Sequence, residues 1–247
     1  MSRYGSFAEY YDSLTSNVDY RKTAEYVSDI LNENGINKGI LLDLACGTGT
    51  MSLIMAQKGY DVIGVDNSPE MLGEAREKAL EAGEDILFLC QDMCSIDLYG
   101  TVDCTVCLLD SLNHLESKEE LLEAFKRVSL FTVPGGLFVF DVNTEYKHKY
   151  VLGDNTFVYE NDDVYCVWQN EYDDESKTVE IFLDFFQEEN GLYRRSSEYF
   201  AERAFSDSDI RNLLSEAGFT DIKTYGELKK TDPSDTEERV FYVARKD

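Results

Sequence analysis

The sequence predicts an α/β, doubly wound domain interrupted late in the chain by an antiparallel β insertion. Three observations carry this. Short apolar runs alternate with helical stretches over residues 39–142, the pattern of successive strand–helix–strand units joined by right-handed crossovers. Those runs are continuous rather than alternating, as strands buried on both faces must be. Beyond residue 150 come long β-branched and aromatic runs, FVYEN, VYCVWQNEY, TVEIFLDFFQEE and LYRRSSEYFAERAF, punctuated by DDESK and EENG as hairpins are.

The elements follow in order. VDYRKTAEYVSDILNEN has the apolar spacing of an amphipathic helix and is placed in a helical cap over about residues 1–36. GILLDLA (39–45) is the first strand; Gly47 and Gly49 break it into a turn, and a helix starts at about Thr50. DVIGVD (61–66) is the second strand, and Ser68 and Pro69 supply the N-cap and first position of the next helix. ILFLC (86–90), CTVCLL (104–109) and GLFVFDV (136–142) are further strands, with SKEELLEAFKRVSLF as the helix before the last of them. After the insertion, a helix in SDSDIRNLLSEAGF and strands DIKTYG and RVFYVARK complete the sheet. Residues 1–150 and 201–247 therefore form one domain, and 151–200 the inserted β-meander.

Composition narrows the function classes. A chain of 247 residues, 43% hydrophobic, can bury one large core. Its 49 acids against 23 bases give a net charge of −26, which argues against free nucleic acid as a partner, since that affinity rests on clustered Lys and Arg. No apolar run approaches the roughly 18 residues that span a bilayer, and MSRYGSFAEYYDSL lacks a signal-type apolar region, so a cytoplasmic, membrane-free protein is expected. Cys104 and Cys107 form a CxxC on a strand, where residues three apart point to opposite faces and cannot share a metal. Cys46, Cys90, Cys94 and Cys166 show no zinc spacing; free thiols in a reducing compartment, and no metal, are expected.

The turn LLDLACGTGT places backbone amides at a helix N-terminus, which suits a nucleotide-like ligand. GTGTMS lacks the third glycine of the dinucleotide fingerprint. Asp43 would face a diphosphate with like charge but would welcome a cation, and S-adenosylmethionine carries an ammonium and a sulfonium. Asp66, ending the second strand, suits the two ribose hydroxyls of the same ligand, although alone it would also suit NAD. Asp92, ending the third, could accept from the adenine amino group beside Met93.

With these residues in view, DLACGTGT, VIGVDNSPEML, CQDM and the PGG turn before GLFVFDV resemble successive motifs of the class I S-adenosylmethionine-dependent methyltransferases. FAEYYDSL, LLDSLNHL and ERVFYVARK make the chain most similar to their YqeM-like bacterial group. The resemblance implies a Rossmann-like, seven-stranded sheet with its last strand antiparallel. It also implies Asp43, Ala45, Gly47 and Gly49 around the methionine portion, Asp66, Asn67 and Met71 at the ribose, Asp92 and Met93 at the adenine, and Leu109 with Asp110 beneath the sulfonium. Tyr11, and with it Tyr20, matches an aromatic that folds over the cofactor.

Methyl transfer asks for an aligned nucleophile, exclusion of water and removal of a proton. LLDSLNHL supplies Asp110, Ser111, Asn113 and His114 after the fourth strand; His114 is the candidate general base, with Asp110 beside it, although it could equally cap or pack the next helix. His148, in EYKHKY, reads as a surface residue. The insertion holds 13 acids, 3 bases and 11 of the chain's 31 aromatics. Alternation puts Val179, Ile181, Leu183 and Phe185 on one face, and Phe182, Asp184 and Phe186 on the other, where a mixed aromatic and acidic pocket would attract an amine. The same aromatics could instead form the meander's own core and a dimer surface, leaving monomer and homodimer open. A small-molecule acceptor methylated at N or O is the leading expectation. A ribosomal protein or RNA acceptor, or a non-catalytic cofactor-binding regulator, are the alternatives.

Overall fold

The computed structural model describes residues 18–160, 164–189 and 191–247. The first domain contains α1 (Tyr20–Glu33), β1 (Ile40–Leu44), α2 (Thr50–Gln57), β2 (Asp61–Asp66), α3 (Pro69–Ala82), β3 (Leu87–Cys90), β4 (Val102–Cys107), α4 (Lys118–Phe131) and β5 (Thr132–Asn143). A π-helical stretch (Lys147–Leu152) leads to β6 (Thr156–Glu160), β7 (Val164–Asp173), β8 (Thr178–Glu189) and β9 (Leu192–Arg203). The chain then returns through α5 (Asp207–Glu216), β10 (Phe219–Gly226) and β11 (Arg239–Lys246).

The first sheet has seven strands in the order β10-β11-β5-β4-β1-β2-β3. β11 pairs antiparallel with both β5 and β10, and β1 to β5 run parallel. The order reverses between β1 and β4, so the crevice outside their C-terminal ends is where an open α/β sheet binds its ligand. β5 begins at Thr132, ahead of the PGG turn signal, because Thr132 already pairs with Val102 and an irregularity absorbs the turn. The second sheet is an antiparallel meander, β6-β7-β8-β9, and reaches Arg203, past the expected end at residue 200.

Alternation along the central strands builds two cores. Leu42, Leu44, Cys107, Phe138 and Phe140 face α4 and α5, while Leu41, Cys104, Val106, Leu137 and Val139 face α1 and α2. Cys104 and Cys107 thus lie on opposite faces, both buried and free, as the strand reading requires. No helix among the described residues is long and apolar enough to cross a membrane.

Gly49 closes the turn against α3. It caps α2 in a left-handed conformation (φ 73°), and a Cβ there would lie 2.8 Å from the Ala75 Cβ. Gly49→Ala is expected to cost about 1–3 kcal/mol, because it adds backbone strain to a clash inside a packed helix pair. Urea unfolding measures this; an unchanged midpoint would refute the packing argument.

Candidate functional site

The turn after β1 is tied to the end of β2. The Gly47 N–H donates to Asp66 Oδ2 at 2.8 Å, and the Ser68 N–H donates to Oδ1 at 2.9 Å. Burial pushes the Asp66 carboxyl up in spite of these donors. Ala45 and Gly47 adopt left-handed φ values of 59° and 54°, and a Cβ on Gly47 would meet nothing within 4 Å. Asp43 is almost wholly buried and accepts from the Ser52 hydroxyl. Burial, aided by the charge of Asp66 and only partly opposed by Ser52, pushes its carboxyl up to about 7.

A second device holds the end of β4. Leu109 and Asp110 are consecutive non-glycine residues with φ of 57° and 54°, a conformation that costs about 1–2 kcal/mol per residue. The buried Asp141 on β5 fixes both: its Oδ2 accepts from the Leu109 N–H at 2.9 Å and its Oδ1 from the Asp110 N–H at 2.8 Å. Arg239, at the start of β11, places one Nη on Asp141 and the other on Asp110. Burial alone would raise the Asp110 carboxyl; the Arg239 guanidinium, with Lys147 and His114, outweighs it and holds it at about 2. Asn113 fastens the turn from below, donating to the carbonyls of Asn143 and Arg203 and accepting from the Asn143 N–H.

Between the C-terminal strand ends and the inserted sheet lies a cavity of about 340 Å3, within the range of small-molecule sites. Ala45, Gly47, Asp66, Asn67, Met71, Met93, Leu109, Asp110 and His114 all line it. Its roof comes from the insertion: Tyr159, Trp168, Leu183, Phe200 and Glu202. A smaller cavity, about 40 Å3, adjoins it and is lined by Tyr20 and Asp43; Ala45, Gly47, Leu109 and Ser111 border both.

Residues 41–136 match the family model described as a methyltransferase domain. The chain is 35% identical to YqeM of Bacillus subtilis (strain 168), named as a methyltransferase, over 98% of this chain and 97% of that protein. It belongs to the YqeM-like S-adenosylmethionine-dependent methyltransferases. The crystal structure of an S-adenosylmethionine-dependent methyltransferase from Clostridium acetobutylicum is similar throughout, with 32% identity, a TM-score of 0.89 and 99% of each chain covered. A glycine/sarcosine N-methyltransferase of Aphanothece halophytica is 27% identical over 98% of this chain and 88% of that protein.

The methyl donor of this methyltransferase is S-adenosylmethionine, and the geometry fits it. A buried carboxyl group that gains by meeting a cation, Asp43, lines the smaller cavity, and an acid that accepts from the glycine turn, Asp66, lines the larger one. Several expected residues sit elsewhere. Gly49 serves the helix packing described above rather than the cavity wall. Asp92 is exposed, accepts from the Cys94 N–H at 2.7 Å and does not line the cavity, whereas its neighbours Gln91 and Met93 do. Tyr20 borders the smaller cavity, and Tyr11 lies outside the described residues.

Two sequence readings need correction. His148 is fully buried, not on the surface, and its Nε2 lies 3.2 Å from Glu202 Oε2, because the π-helical stretch turns it under the insertion. Asp110, which lines the cavity beside His114, is ion-paired to Arg239. The Phe182, Asp184 and Phe186 face does not line the cavity; Asp184 is occupied by Arg195 and Ser197, and it is Leu183 of the opposite face that joins the roof. The sequence reading missed Asp141, Lys147, Glu202 and Arg239. Asp141 alone left a signal, an acid inside the apolar run GLFVFDV. Asp110, His114 and Glu202 present ligand atoms within 4.8 Å of one another, the one such grouping among the described residues; Arg239 on Asp110 disfavours a further metal cation there.

Proposed function

We propose that this enzyme methylates the nitrogen of a small-molecule amine bound beneath the β insertion, in the cytoplasm. The observation that carries the reading is the composition of the cavity's far end. Asp110, His114 and Glu202 converge there under Trp168 and Phe200, an acidic and aromatic lining that favours a cationic or amine-bearing acceptor. The glycine/sarcosine relative supports nitrogen as the receiving atom.

In this reading Asp43 takes the ammonium of the donor, Asp66 the ribose hydroxyls, with Asn67 and Met71 beside them. Met93, with Asp92 at its side, meets the adenine, and Leu109 underlies the sulfonium. When bound, S-adenosylmethionine supplies a methyl carbon made electrophilic by its sulfonium. The protein's work is then alignment and exclusion of water by the insertion, with His114 taking the proton that the acceptor must lose. Phe200 packs against the His114 ring at 5.1 Å between centroids and sets its orientation.

Labelled methyl transfer tests this directly. Label should reach an amine in a small-molecule extract or a defined panel of glycine, sarcosine and ethanolamine; transfer only to ribosomal fractions would replace the reading with a macromolecular acceptor. His114→Asn is expected to lower kcat about 100- to 1,000-fold while S-adenosylhomocysteine affinity stays within about twofold. Undiminished kcat would remove the base from the mechanism.

A further inference from the structure

We infer that Glu202, on the last strand of the insertion, is the counter-charge for the acceptor nitrogen. This rests on the N-methylation reading above. The Glu202 side chain is almost wholly buried yet lines the cavity. Its described partners are an amide and an imidazole: Asn143 Nδ2 donates to Oε2 at 2.9 Å, and His148 Nε2 lies 3.2 Å from the same oxygen.

The contacts of His148 show how the carboxyl group is held. Its ring is fully buried, Nε2 is the ring atom turned to Glu202, and Nδ1 has no hydrogen-bond partner. The imidazole thus meets Glu202 through a single ring nitrogen. Lys147 does not supply the missing charge; its Nζ donates to Asn143 Oδ1 at 2.9 Å, and no Lys or Arg nitrogen lies within 4.0 Å of Glu202 among the described residues. Asp110, by contrast, is answered by Arg239. Glu202 is thus a buried carboxyl group that meets no Lys or Arg side chain, a setting in which an arriving cation is favoured. The cavity leaves the acceptor as its source.

The chemistry gives that charge a use. An acceptor R–NH3+ loses one proton to His114, which frees the nitrogen lone pair. The N–C bond forms as the C–S bond breaks, the electron pair goes to sulfur, and the positive charge passes from sulfur to R–NH2+–CH3. A fixed carboxylate beside the nitrogen binds the ammonium on arrival and stabilises the charge that grows on it during transfer. Asn143 and His148 are positioning residues that hold this carboxylate in place.

Sinefungin tests the inference without an identified acceptor. It is an S-adenosylhomocysteine analogue that carries a primary ammonium in place of the transferable methyl. Trp168, the chain's single tryptophan, lines the cavity, so its fluorescence reports occupancy of both ligands. The wild type should bind sinefungin at least about 10-fold more tightly than S-adenosylhomocysteine, and Glu202→Gln should abolish that preference with S-adenosylhomocysteine affinity held within about twofold. Glu202→Asp should retain part of it. Equal affinities in the wild type, or a preference that survives in Glu202→Gln, would overturn the inference. Failure of the N-methylation reading shows differently: the sinefungin preference would be present, but label would go to no amine.

Discussion

Asp43→Asn is expected to weaken S-adenosylhomocysteine binding about 10- to 100-fold, the scale of one hydrogen bond to a charged group. The substitution keeps the shape and the contact with Ser52 but removes the negative charge. The wild type should carry a matching pH signature. Burial pushes the Asp43 carboxyl up to about 7 in the free protein. A ligand ammonium placed beside it favours the ionised form, so binding releases a proton wherever Asp43 starts protonated. Affinity should therefore rise with pH from about 5.5 to 7 and then level, and the variant should lose that slope. The stability of the free protein should move the other way. A carboxyl whose folded value lies above its unfolded value of about 4 favours the folded state below pH 4, and that contribution is lost as pH rises through about 7. Asp43→Asn should consequently be no less stable than the wild type at pH 7.5. Calorimetric titration across this range decides the matter; a flat wild-type profile would mean that Asp43 is not the ammonium partner.

Arg239→Met should produce the largest loss of stability. The guanidinium is held between Asp110 and Asp141, and the side chain is only 13% exposed. Removing it takes the main counter-charge from two largely buried carboxylates, at an expected cost of about 3–5 kcal/mol, or a fall in Tm on the order of 10 °C. Activity should fall further than stability explains, because the left-handed Leu109–Asp110 backbone that lines the cavity relies on the same knot. The acid response supplies the check. In the wild type Asp110 is held at about 2, so its contribution is full above the unfolded value near pH 4 and is lost as pH falls through about 2. In Arg239→Met the Asp110 carboxyl loses the charge that chiefly opposes its burial, so acidification from pH 7 toward 5 should raise the stability of the variant. Adding Asp141→Asn should recover part of the loss. A variant with wild-type Tm and an unchanged acid profile would show that the knot holds nothing.

The residues that were legible in advance share a physical character. Strands β1 to β5 are buried on both faces, so each announces itself as an uninterrupted apolar run, and Ser68 with Pro69 marks a helix start by local chemistry. Asp43 and Asp66 reach the cavities because each lies at or beside the C-terminal end of a parallel strand, where such a sheet binds its ligand. The same logic did not place Asp92 on the cavity wall, because its carboxylate turns back to accept from its own loop. For the insertion, alternation sorted β8 correctly into two faces, but which face meets the other domain is invisible in a period of two.

The sequence by itself determined the order of strands and helices and the glycine turn, because each rests on neighbours a few residues apart, and the methyl donor, through a motif series spread along the chain. Only the tertiary structure decided which distant groups meet beneath the insertion. Asp110 meets Arg239 across 129 residues, Asn143 meets Glu202 across 59 and His148 meets Glu202 across 54. Which charges a cavity leaves unanswered depends on partners brought together by the fold, and a buried carboxylate reads the same in sequence whether or not its counter-ion is waiting.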